Sequence, residues 1–323
     1  MAQKRQKIAL ISNPHAGKNT PRAGLGKVIA SILAEPRWTY TTETLGELRM
    51  AADFIKRDRP DILAFSGGDG TVMRTLTDIC QSYERSPGMA LPQILVIPTG
   101  TMNVVGTSLG LTRMSAETLA STIRAKIDAN VPLDTARLSP MKVNDRYGFL
   151  YGAGLPINVL EQVYASEHRG PKRIAKIMVR AFWEELWALA CFRKSPQILT
   201  KPVHAKIIFP NGYEPPVAPY MTHTAILAGS VDQVGLGCRA LHDARSKPGC
   251  FMIRSTNLGY WGLSRRIGHL WAGLSFPAIY DATVPYVDIE FEQPTDITID
   301  GEIFKGRLHD RISCGPSLTF ITG

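Results

Sequence analysis

Ser66-Gly67-Gly68-Asp69-Gly70-Thr71 joins an apolar segment, 61–67 (DILAFSG), to an amphipathic segment, 71–82. The apolar segment predicts a buried strand and the amphipathic one a helix. Paired glycines allow backbone N–H groups to approach an anion closely, and a helix start adds unpaired N–H groups with a partial positive charge. The stretch therefore predicts a phosphate-binding turn in which Asp69 holds Mg²⁺ or its waters. The alternative is a glycine-rich turn with Asp69 as a helix cap.

Two further polar turns follow apolar strands in the same style. Asn13-Pro14-His15-Ala16-Gly17-Lys18 follows a strand predicted over 7–12, and Pro98-Thr99-Gly100-Thr101-Met102-Asn103 closes a strand predicted over 93–100. The first turn departs from the GxxxxGK[ST] pattern of a P-loop, so a Walker A motif is rejected. Each turn alone has a plain surface turn as its alternative. Three such turns on one edge of a sheet predict a nucleotide site.

The pattern of elements predicts two domains, which suits a chain of 323 residues. Strands that alternate with helices predict a parallel, doubly wound sheet in a nucleotide-binding α/β domain over 1–132. Short apolar segments separated by Pro, Gly and Asn turns predict an antiparallel β-sandwich substrate domain over 133–302. The final segment, 303–323, is a candidate for returning to the first domain.

The chain carries 37 Lys and Arg against 28 Asp and Glu, a net charge of +9. This excess favours an anionic partner. A nucleic-acid partner is not predicted, because no recognised module is present and aromatic residues do not interleave with the basic ones. Residues 168–194 form a basic amphipathic segment with two tryptophans, which predicts a peripheral membrane contact. A second candidate spans 261–276, and the alternative for both is a packed helix with a solvated basic face.

The location predicted for the protein is cytoplasmic. Its five cysteines are dispersed and odd in number, which is typical of reduced thiols. No secretory signal and no apolar run of about 18–20 residues is recognised, so a spanning helix is not expected. The oligomeric state is left open, with a homodimer as one alternative.

Near the end of the chain, Asp300-Gly301-Glu302 places two carboxylates around a glycine at a strand-to-turn junction. Such a pair can supply a general base or a metal ligand. The alternative is an exposed Asp-Gly turn.

Taken in order, NPHAGK (13–18), GGDGT (67–71), PTGTMN (98–103) and DGE (300–302) resemble the diacylglycerol kinase catalytic family. That family includes soluble bacterial diacylglycerol kinases and the sphingosine and ceramide kinases. The resemblance implies a lipid kinase of phospholipid metabolism that uses ATP and Mg²⁺ to phosphorylate a lipid hydroxyl, with diacylglycerol as the first candidate. A ceramide or sphingoid-base kinase, an NAD-kinase-like enzyme and a catalytically weak lipid-binding relative remain alternatives.

The resemblance also implies roles for individual residues. The implied ATP contacts are Asn13, Lys18, Thr42, Ser66, Gly67, Gly68, Asp69, Gly70, Thr71, Thr101 and Asn103. Asp300 or Glu302 would accept the proton of the lipid hydroxyl, and Asp69 is the third implied catalytic residue. Asp69 and Asp134 are the implied metal contacts.

Two departures from the family pattern stand out. Val104 occupies a position where the family has Asp, which would weaken a hydrogen-bond network or a metal contact. Lys247-Pro248-Gly249 replaces an acidic turn that holds a structural Mg²⁺ in bacterial members. We therefore expect that structural metal to be absent here.

Overall fold

The computed structural model of the chain describes residues 6–15, 24–85, 91–100, 103–165, 171–191, 193, 199–210, 221–235 and 237–322. The chain divides into two compact units. Unit 1 comprises Met1–Pro140 and Gly315–Gly323, and unit 2 comprises Met141–Cys314.

Unit 1 is built on a six-stranded sheet. Its strands are β1 (Ile8–Ser12), β2 (Thr39–Thr41), β3 (Ile62–Gly67), β4 (Gln93–Pro98), β5 (Thr135–Leu138) and the last strand of the chain, β16 (Leu318–Ile321). They lie in the order β2-β1-β3-β4-β16-β5, and every neighbouring pair is parallel except β16 with β5. All residues of β1 and β3 are buried, as expected for parallel strands covered by helices on both faces.

In the described part of unit 1, five α-helices accompany this sheet. They are α1 (Leu25–Leu33), α2 (Leu45–Asp58), α3 (Asp69–Arg85), α4 (Val104–Ser108) and α5 (Ala116–Asp128). α1 packs against α5, and α2 packs against α3. The crossover β1-α1-β2 runs one way along the sheet and β2-α2-β3 runs back, so right-handed connections put α1 and α2 on opposite faces. The doubly wound parallel sheet predicted from the sequence is confirmed.

The sequence patterns did not identify β2 or α2. β2 is only three residues long and partly exposed, so it lacks the apolar run that marks its neighbours. α2 does carry a local start signal that was overlooked. The Thr44 side chain accepts a hydrogen bond from the Glu47 N–H while the Glu47 carboxylate accepts one from the Thr44 N–H, which is a capping box.

Unit 2 is dominated by antiparallel strands, as predicted. They are β6 (Met141–Val143), β7 (Arg146–Gly148), β8 (Leu150–Gly154), β9 (Val203–Ile208), β10 (Thr222–His223), β11 (Ala225–Gly229), β12 (Phe251–Thr256), β13 (Ile279–Val284), β14 (Tyr286–Ile299) and β15 (Glu302–Cys314). The main path runs β13-β12-β11-β8-β14-β15-β6-β7.

One strand joins the parts of this sheet. β14 pairs with β15 along one side, and on its other side it pairs with β9 over 288–291 and with β8 over 297–299. Register shifts between Glu290 and Ile297 allow the strand to change partners. Among the described residues the strands are therefore linked into one continuous hydrogen-bonded network, because β14 passes from one set of partners to the other.

The described residues of unit 2 form four helices: α6 (Leu155–Tyr164), α7 (Pro171–Ala190), α8 (Tyr260–Ser264) and α9 (Ile267–Ala272). α7, α8 and α9 lie in the two segments where helices were predicted, whereas α6 was not anticipated. In the part of the chain that the structure describes, every helix is too short or too polar to cross a bilayer.

The unit boundaries fall after residues 140 and 314, where 132 and 302 were predicted. The first boundary lies later than predicted because β5 belongs to the sheet of unit 1, where it pairs with β16. The second boundary lies later than predicted because residues 303–314 belong to β15, which pairs with β14 and β6. Only the segment after Cys314 returns to unit 1, where β16 lies between β4 and β5.

Candidate active site

The strand order of unit 1 reverses between β1 and β3. From β1 the chain crosses to β2 on one side, and from β2 it crosses back to β3 on the other side of β1. Ligands of open α/β sheets bind at such a switch point, beyond the carboxyl ends of the strands. Asn13 follows β1 and Gly68 follows β3, so the first two predicted turns flank this point.

Hydrogen bonds join the first turn to the second. The Asn13 N–H donates to the Ser66 carbonyl at 3.0 Å, and the Asn13 side-chain amide donates to the Thr71 hydroxyl at 3.1 Å. The side-chain carbonyl of Asn13 also accepts from the His15 N–H at 2.9 Å, which orders the turn itself. At the end of β2, the buried Thr42 donates its N–H to the Ser12 carbonyl at 2.9 Å. Lys18 lies outside the described residues.

The second turn is joined to the third through Asp69. Its carboxylate accepts hydrogen bonds from the N–H groups of Val104 at 3.1 Å and of Val105 at 3.5 Å. These are the first two residues of α4, whose N–H groups have no partner inside the helix. The hydrogen bond between position 104 and Asp69 is therefore made by the backbone N–H and does not depend on the Val104 side chain. Thr101 lies outside the described residues.

The same two turns also touch backbone to backbone. A Cβ atom placed on Gly100 would lie 2.4 Å from the Cα of Gly68, a separation that real Cβ atoms do not show. Asn103, in a left-handed conformation with φ 49°, donates its side-chain amide to the Gly100 carbonyl at 2.8 Å. The three turns are thus brought together into one continuous edge.

Burial dominates the electrostatics of Asp69. Loss of water around the carboxylate raises its pKa above the ordinary value, and the hydrogen bonds from Val104 and Val105 offset part of that rise. The backbone hydrogen bonds thus compensate only part of the cost of removing water from the Asp69 carboxylate. Such perturbed carboxylates are frequent at functional sites.

The edge has features that fit a phosphate group. It lies at the N-terminus of α3, a helix of 17 residues, where unpaired N–H groups favour an anion. Gly68 and Gly100 have no side chain, so the backbones of the second and third turns can approach each other closely at this edge. Thr99 is fully buried, and its hydroxyl has no hydrogen-bond partner among the described residues.

The fit to a metal ion is weaker. The antiparallel pairing of Thr135 with Ile321 places the neighbouring Asp134 at this same sheet edge. However, the Asp134 carboxylate pairs with the Lys126 ammonium at 2.9 Å and its side chain is 73% exposed. The described residues contain no group of three His, Cys, Asp or Glu side chains that could hold a metal.

In unit 2, Asp300 and Gly301 form the turn of the β14–β15 hairpin. Both have positive φ, 47° and 86°, and Ile299 pairs with Glu302 across the turn. This is the conformation of a two-residue type I′ turn, for which Asp-Gly is a preferred sequence. Asp300 and Gly301 thus form an Asp-Gly turn that is partly buried, where the alternative was an exposed one, and Glu302 begins the strand that leaves it.

The two carboxylates of this motif have different surroundings. The Asp300 carboxylate accepts hydrogen bonds from the N–H groups of Phe149, at 3.0 Å, and Leu150, at 2.8 Å. It thereby fastens the turn to the junction of β7 and β8. The Tyr164 hydroxyl, at the end of α6, donates to the Gly301 carbonyl. Glu302 is partly exposed.

A buried polar network around Asp310 holds the strands next to the hairpin turn. The fully buried Asp310 of β15 accepts hydrogen bonds from Asn144, Tyr151 and Arg307 at 2.7, 3.0 and 2.9 Å. Burial and the neighbouring Asp310 carboxylate raise the pKa of Tyr151 well above its ordinary value, so the phenol remains a donor. Because Tyr151 pairs with Ile299, the network fixes β8 and β15 beside the turn.

Lys247-Pro248-Gly249 lies in a turn that precedes β12. The Cys250 N–H donates to the Lys247 carbonyl at 3.3 Å, and the three residues are exposed. The structure thus places a basic turn there. The absence of the structural Mg²⁺ at this turn remains a prediction.

The close approach of Gly100 to Gly68 generates a prediction. We expect Gly100→Ala to lower the free energy of unfolding by about 1–3 kcal/mol, because the added Cβ would force the turns apart. Gly46→Ala is the matched control, since its Cβ would meet only the Thr44 hydroxyl at 3.9 Å on an exposed helix. That change should stabilise by about 0.5–1 kcal/mol. Denaturant titration of both variants tests this, and equal effects would contradict the close packing of the turns.

Comparison of the sequence with known proteins identifies relatives of the N-terminal part. The chain is 28% identical over 152 residues to a diacylglycerol kinase from Staphylococcus epidermidis, a match that covers 46% of this chain and 44% of the relative. A diacylglycerol kinase from Staphylococcus aureus is 26% identical over 152 residues with the same coverage. The match thus spans less than half the length of these relatives.

The fold is similar over almost the whole chain to a solved structure. A diacylglycerol kinase from Bacillus anthracis superposes with a TM-score of 0.64 and 16% identity, covering 99% of this chain and 97% of that one. At this identity the likeness concerns the fold alone. Residues 7–135 match the family model of the diacylglycerol kinase catalytic domain. The resemblance inferred from the motifs is thus confirmed over residues 7–135, which are similar to the catalytic domain of diacylglycerol kinases and contain the first three motifs.

Proposed function

We propose that this chain is a lipid kinase that transfers the γ-phosphoryl group of ATP to a lipid hydroxyl, with diacylglycerol as the first candidate acceptor. The observation that carries the proposal is the joining of three polar turns at the switch point of the sheet. The family match over residues 7–135 and the relatives named diacylglycerol kinase support the choice of reaction.

Unit 1 would bind the nucleotide. The backbone of Gly67 and Gly68 and the N-terminus of α3 would receive the phosphates, and Asn13 and Thr71 would line the neighbouring turn. A Mg²⁺ ion that accompanies the triphosphate supplies charge neutralisation in kinases generally. Asp69 and Asp134 are the described carboxylates at this edge that would contact such an ion or its waters.

Unit 2 would supply the general base. Glu302 is the better candidate, because the oxygens of Asp300 already accept backbone hydrogen bonds. The Glu302 carboxylate takes the proton of the lipid hydroxyl while the oxygen of that hydroxyl bonds to the γ-phosphorus of ATP. The bond from that phosphorus to the bridging oxygen breaks, and ADP leaves with the electron pair. Positioning and charge stabilisation would provide most of the rate enhancement.

The acceptor can be identified directly. The protein is incubated with γ-labelled ATP and mixed micelles that contain diacylglycerol, ceramide or sphingosine, and NAD is offered in a micelle-free reaction. We expect label in phosphatidic acid. Label only in NAD would indicate a nucleotide kinase, and no labelled product with retained lipid binding would indicate a catalytically weak relative. Either result would overturn the proposal.

Asp69 should be required for catalysis without being required for stability. We expect Asp69→Asn to lower kcat by about 100-fold or more, because the charge that faces the nucleotide is lost. A raised pKa means that the folded state binds the proton more tightly than the unfolded state, so ionised Asp69 costs stability as the pH rises past about 4. At pH 7 the variant should therefore be as stable as the wild type or more so.

The matched control for that variant is Asp61→Asn. Asp61 lies at the opposite, amino end of β3, where it accepts a hydrogen bond from the Lys7 N–H at 2.8 Å. Activity should be unchanged in this control. Kinase assays and thermal unfolding check both variants, and normal turnover in Asp69→Asn would contradict the assignment.

The two carboxylates of the hairpin should respond differently. Glu302→Gln should lower kcat by about 10²–10⁴-fold while ATP binding and thermal stability stay unchanged. Asp300→Asn should mainly destabilise, by about 1–3 kcal/mol, because an amide accepts the Phe149 and Leu150 N–H groups less well. The opposite pattern, an inactive but stable Asp300 variant beside an active Glu302 variant, would move the base to Asp300.

A kinase of this kind meets its acceptor at a membrane, and we propose peripheral contact through residues 168–194. Of the basic residues in this segment, Arg169 and Lys194 lie outside the described residues.

A further inference from the structure

We infer that α7 and the α8–α9 segment together form one docking surface for an anionic lipid bilayer. We call it the aromatic face and define it by Val179, Phe182, Trp183, Trp187, Trp261, Ile267, Trp271 and Leu274. The inference rests on the proposed function only for its purpose, since docking itself requires neither ATP nor catalysis.

α7 presents apolar side chains on two sides. Its inner side buries Ile177 and Ala181 in a cluster with Val163 of α6 and Leu199. On the outer side Val179, Trp183 and Trp187 recur every four residues with 56, 62 and 68% of their surface exposed. Residues at this spacing share one helix face. Contiguous exposed apolar side chains of this size mark an interaction surface.

The outer side of α7 continues onto α8. The Phe182 ring contacts the rings of Trp183 and Trp261 edge-on, each at 5.9 Å between centroids. Tyr260, the first residue of α8, packs against the inner cluster of α7. Contacts on both sides of this corner therefore hold α8 against α7.

α9 extends the apolar surface. Ile267, Trp271 and Leu274 are 45, 44 and 55% exposed. The helix is anchored from behind, because the Trp271 carbonyl accepts from the Arg239 N–H at 3.1 Å. Its exposed side chains are thus carried on a backbone that is held in place.

Charge identifies the occupant as an anionic surface. Over 173–193 and 260–274 the described Lys and Arg residues are Arg173, Lys176, Arg180, Arg193, Arg265 and Arg266. The acidic residues of these segments are Glu184, which pairs with Arg180 at 2.6 Å, and Glu185, which is buried. Exposed tryptophan rings on segments that also carry an excess of basic residues suit the headgroup region of an anionic bilayer. A second copy of the chain would present the same positive charge and be repelled.

The aromatic face is connected to the catalytic hairpin within unit 2. α7 packs on α6 through Val163, and the Arg173 guanidinium donates to the Gln162 carbonyl at 3.4 Å. Tyr164, two residues after Gln162, donates a hydrogen bond from its hydroxyl to the Gly301 carbonyl in the turn. Docking would therefore hold the turn that precedes Glu302 in a defined orientation to the bilayer.

The test is vesicle co-sedimentation of the full chain without ATP. Phosphatidylcholine vesicles are compared with vesicles that also contain phosphatidylglycerol. We expect the wild type to bind the anionic vesicles, and Trp183→Gln with Trp187→Gln to weaken that binding at least tenfold. Leu308→Gln is the matched control, because Leu308 is 55% exposed on β15 of the same unit and lies outside the aromatic face. It should bind as the wild type does.

A charge-reversed pair separates the electrostatic contribution. Lys176→Glu with Arg265→Glu should abolish the preference for anionic over uncharged vesicles. The control pair Lys206→Glu with Lys305→Glu changes two exposed lysines of unit 2 and should retain the preference. Equal losses in both pairs would mean that net charge alone drives binding, and the inference would be overturned.

Two other outcomes would also overturn it. One is a wild type that does not bind anionic vesicles. The other is a wild-type dimer that the Trp183/Trp187 variant converts to a monomer, because the aromatic face would then join two copies of the chain. Failure of the proposed function gives a different result, in which vesicle binding depends on the aromatic face but no lipid is phosphorylated.

Discussion

The hydrogen bonds from the N–H groups of Val104 and Val105 to the Asp69 carboxylate organise the edge of the unit 1 sheet at which the three polar turns meet. They connect the turn after β3 to the start of α4, and with the Gly68–Gly100 contact they close the gap between two neighbouring turns. The turn after β1 joins the same edge through Asn13 and Thr71. The Asp69 side chain is partly buried, and loss of water around the carboxylate raises its pKa. A carboxyl group in such surroundings is a candidate for a functional role.

Unit 2 repeats this use of a carboxylate on backbone N–H groups. Asp300 fastens the hairpin turn to the β7–β8 junction, and Asp310 fixes the strands on which the turn stands. One acidic residue of the DGE motif is thereby committed to structure, and its neighbour Glu302 becomes the candidate base. On our proposal, α6 then connects that turn to the surface that meets the lipid.

Much of the fold could be predicted because it follows from local patterns. β1, β3 and β4 are continuous apolar runs that end in glycine- or proline-containing turns, and this pattern indicates a buried parallel strand. β2 has no such pattern, since Thr39–Thr41 is short and partly exposed. The strand pairing of unit 2 could not be predicted, because it depends on β14 changing partners near Thr295, and such long-range pairing leaves no local sequence pattern.

Some residues of the candidate site could be predicted from the sequence, and others could not. Asn13, Ser66 to Thr71 and Asn103 could be selected because glycines and polar side chains follow strands. The contact at Val104 could not be found from side chains, since its backbone N–H makes the bond. Sequence alone also did not distinguish Asp300 from Glu302, because only the folded chain shows that the Asp300 carboxylate holds the turn through the N–H groups of Phe149 and Leu150. On α7 the periodic apolar residues were read as one face, whereas the helix has a packed side and an exposed aromatic side.

We propose that the three separate turns form one site for a nucleoside triphosphate. Hydrogen–deuterium exchange with and without ATP can test this shared site, because exchange reports the backbone N–H groups themselves. ATP should slow exchange together in the three segments around Asn13, Gly68 to Val72 and Gly100 to Val105, and AMP should do so less. Protection confined to one of these turns, or located elsewhere in the chain, would contradict the account.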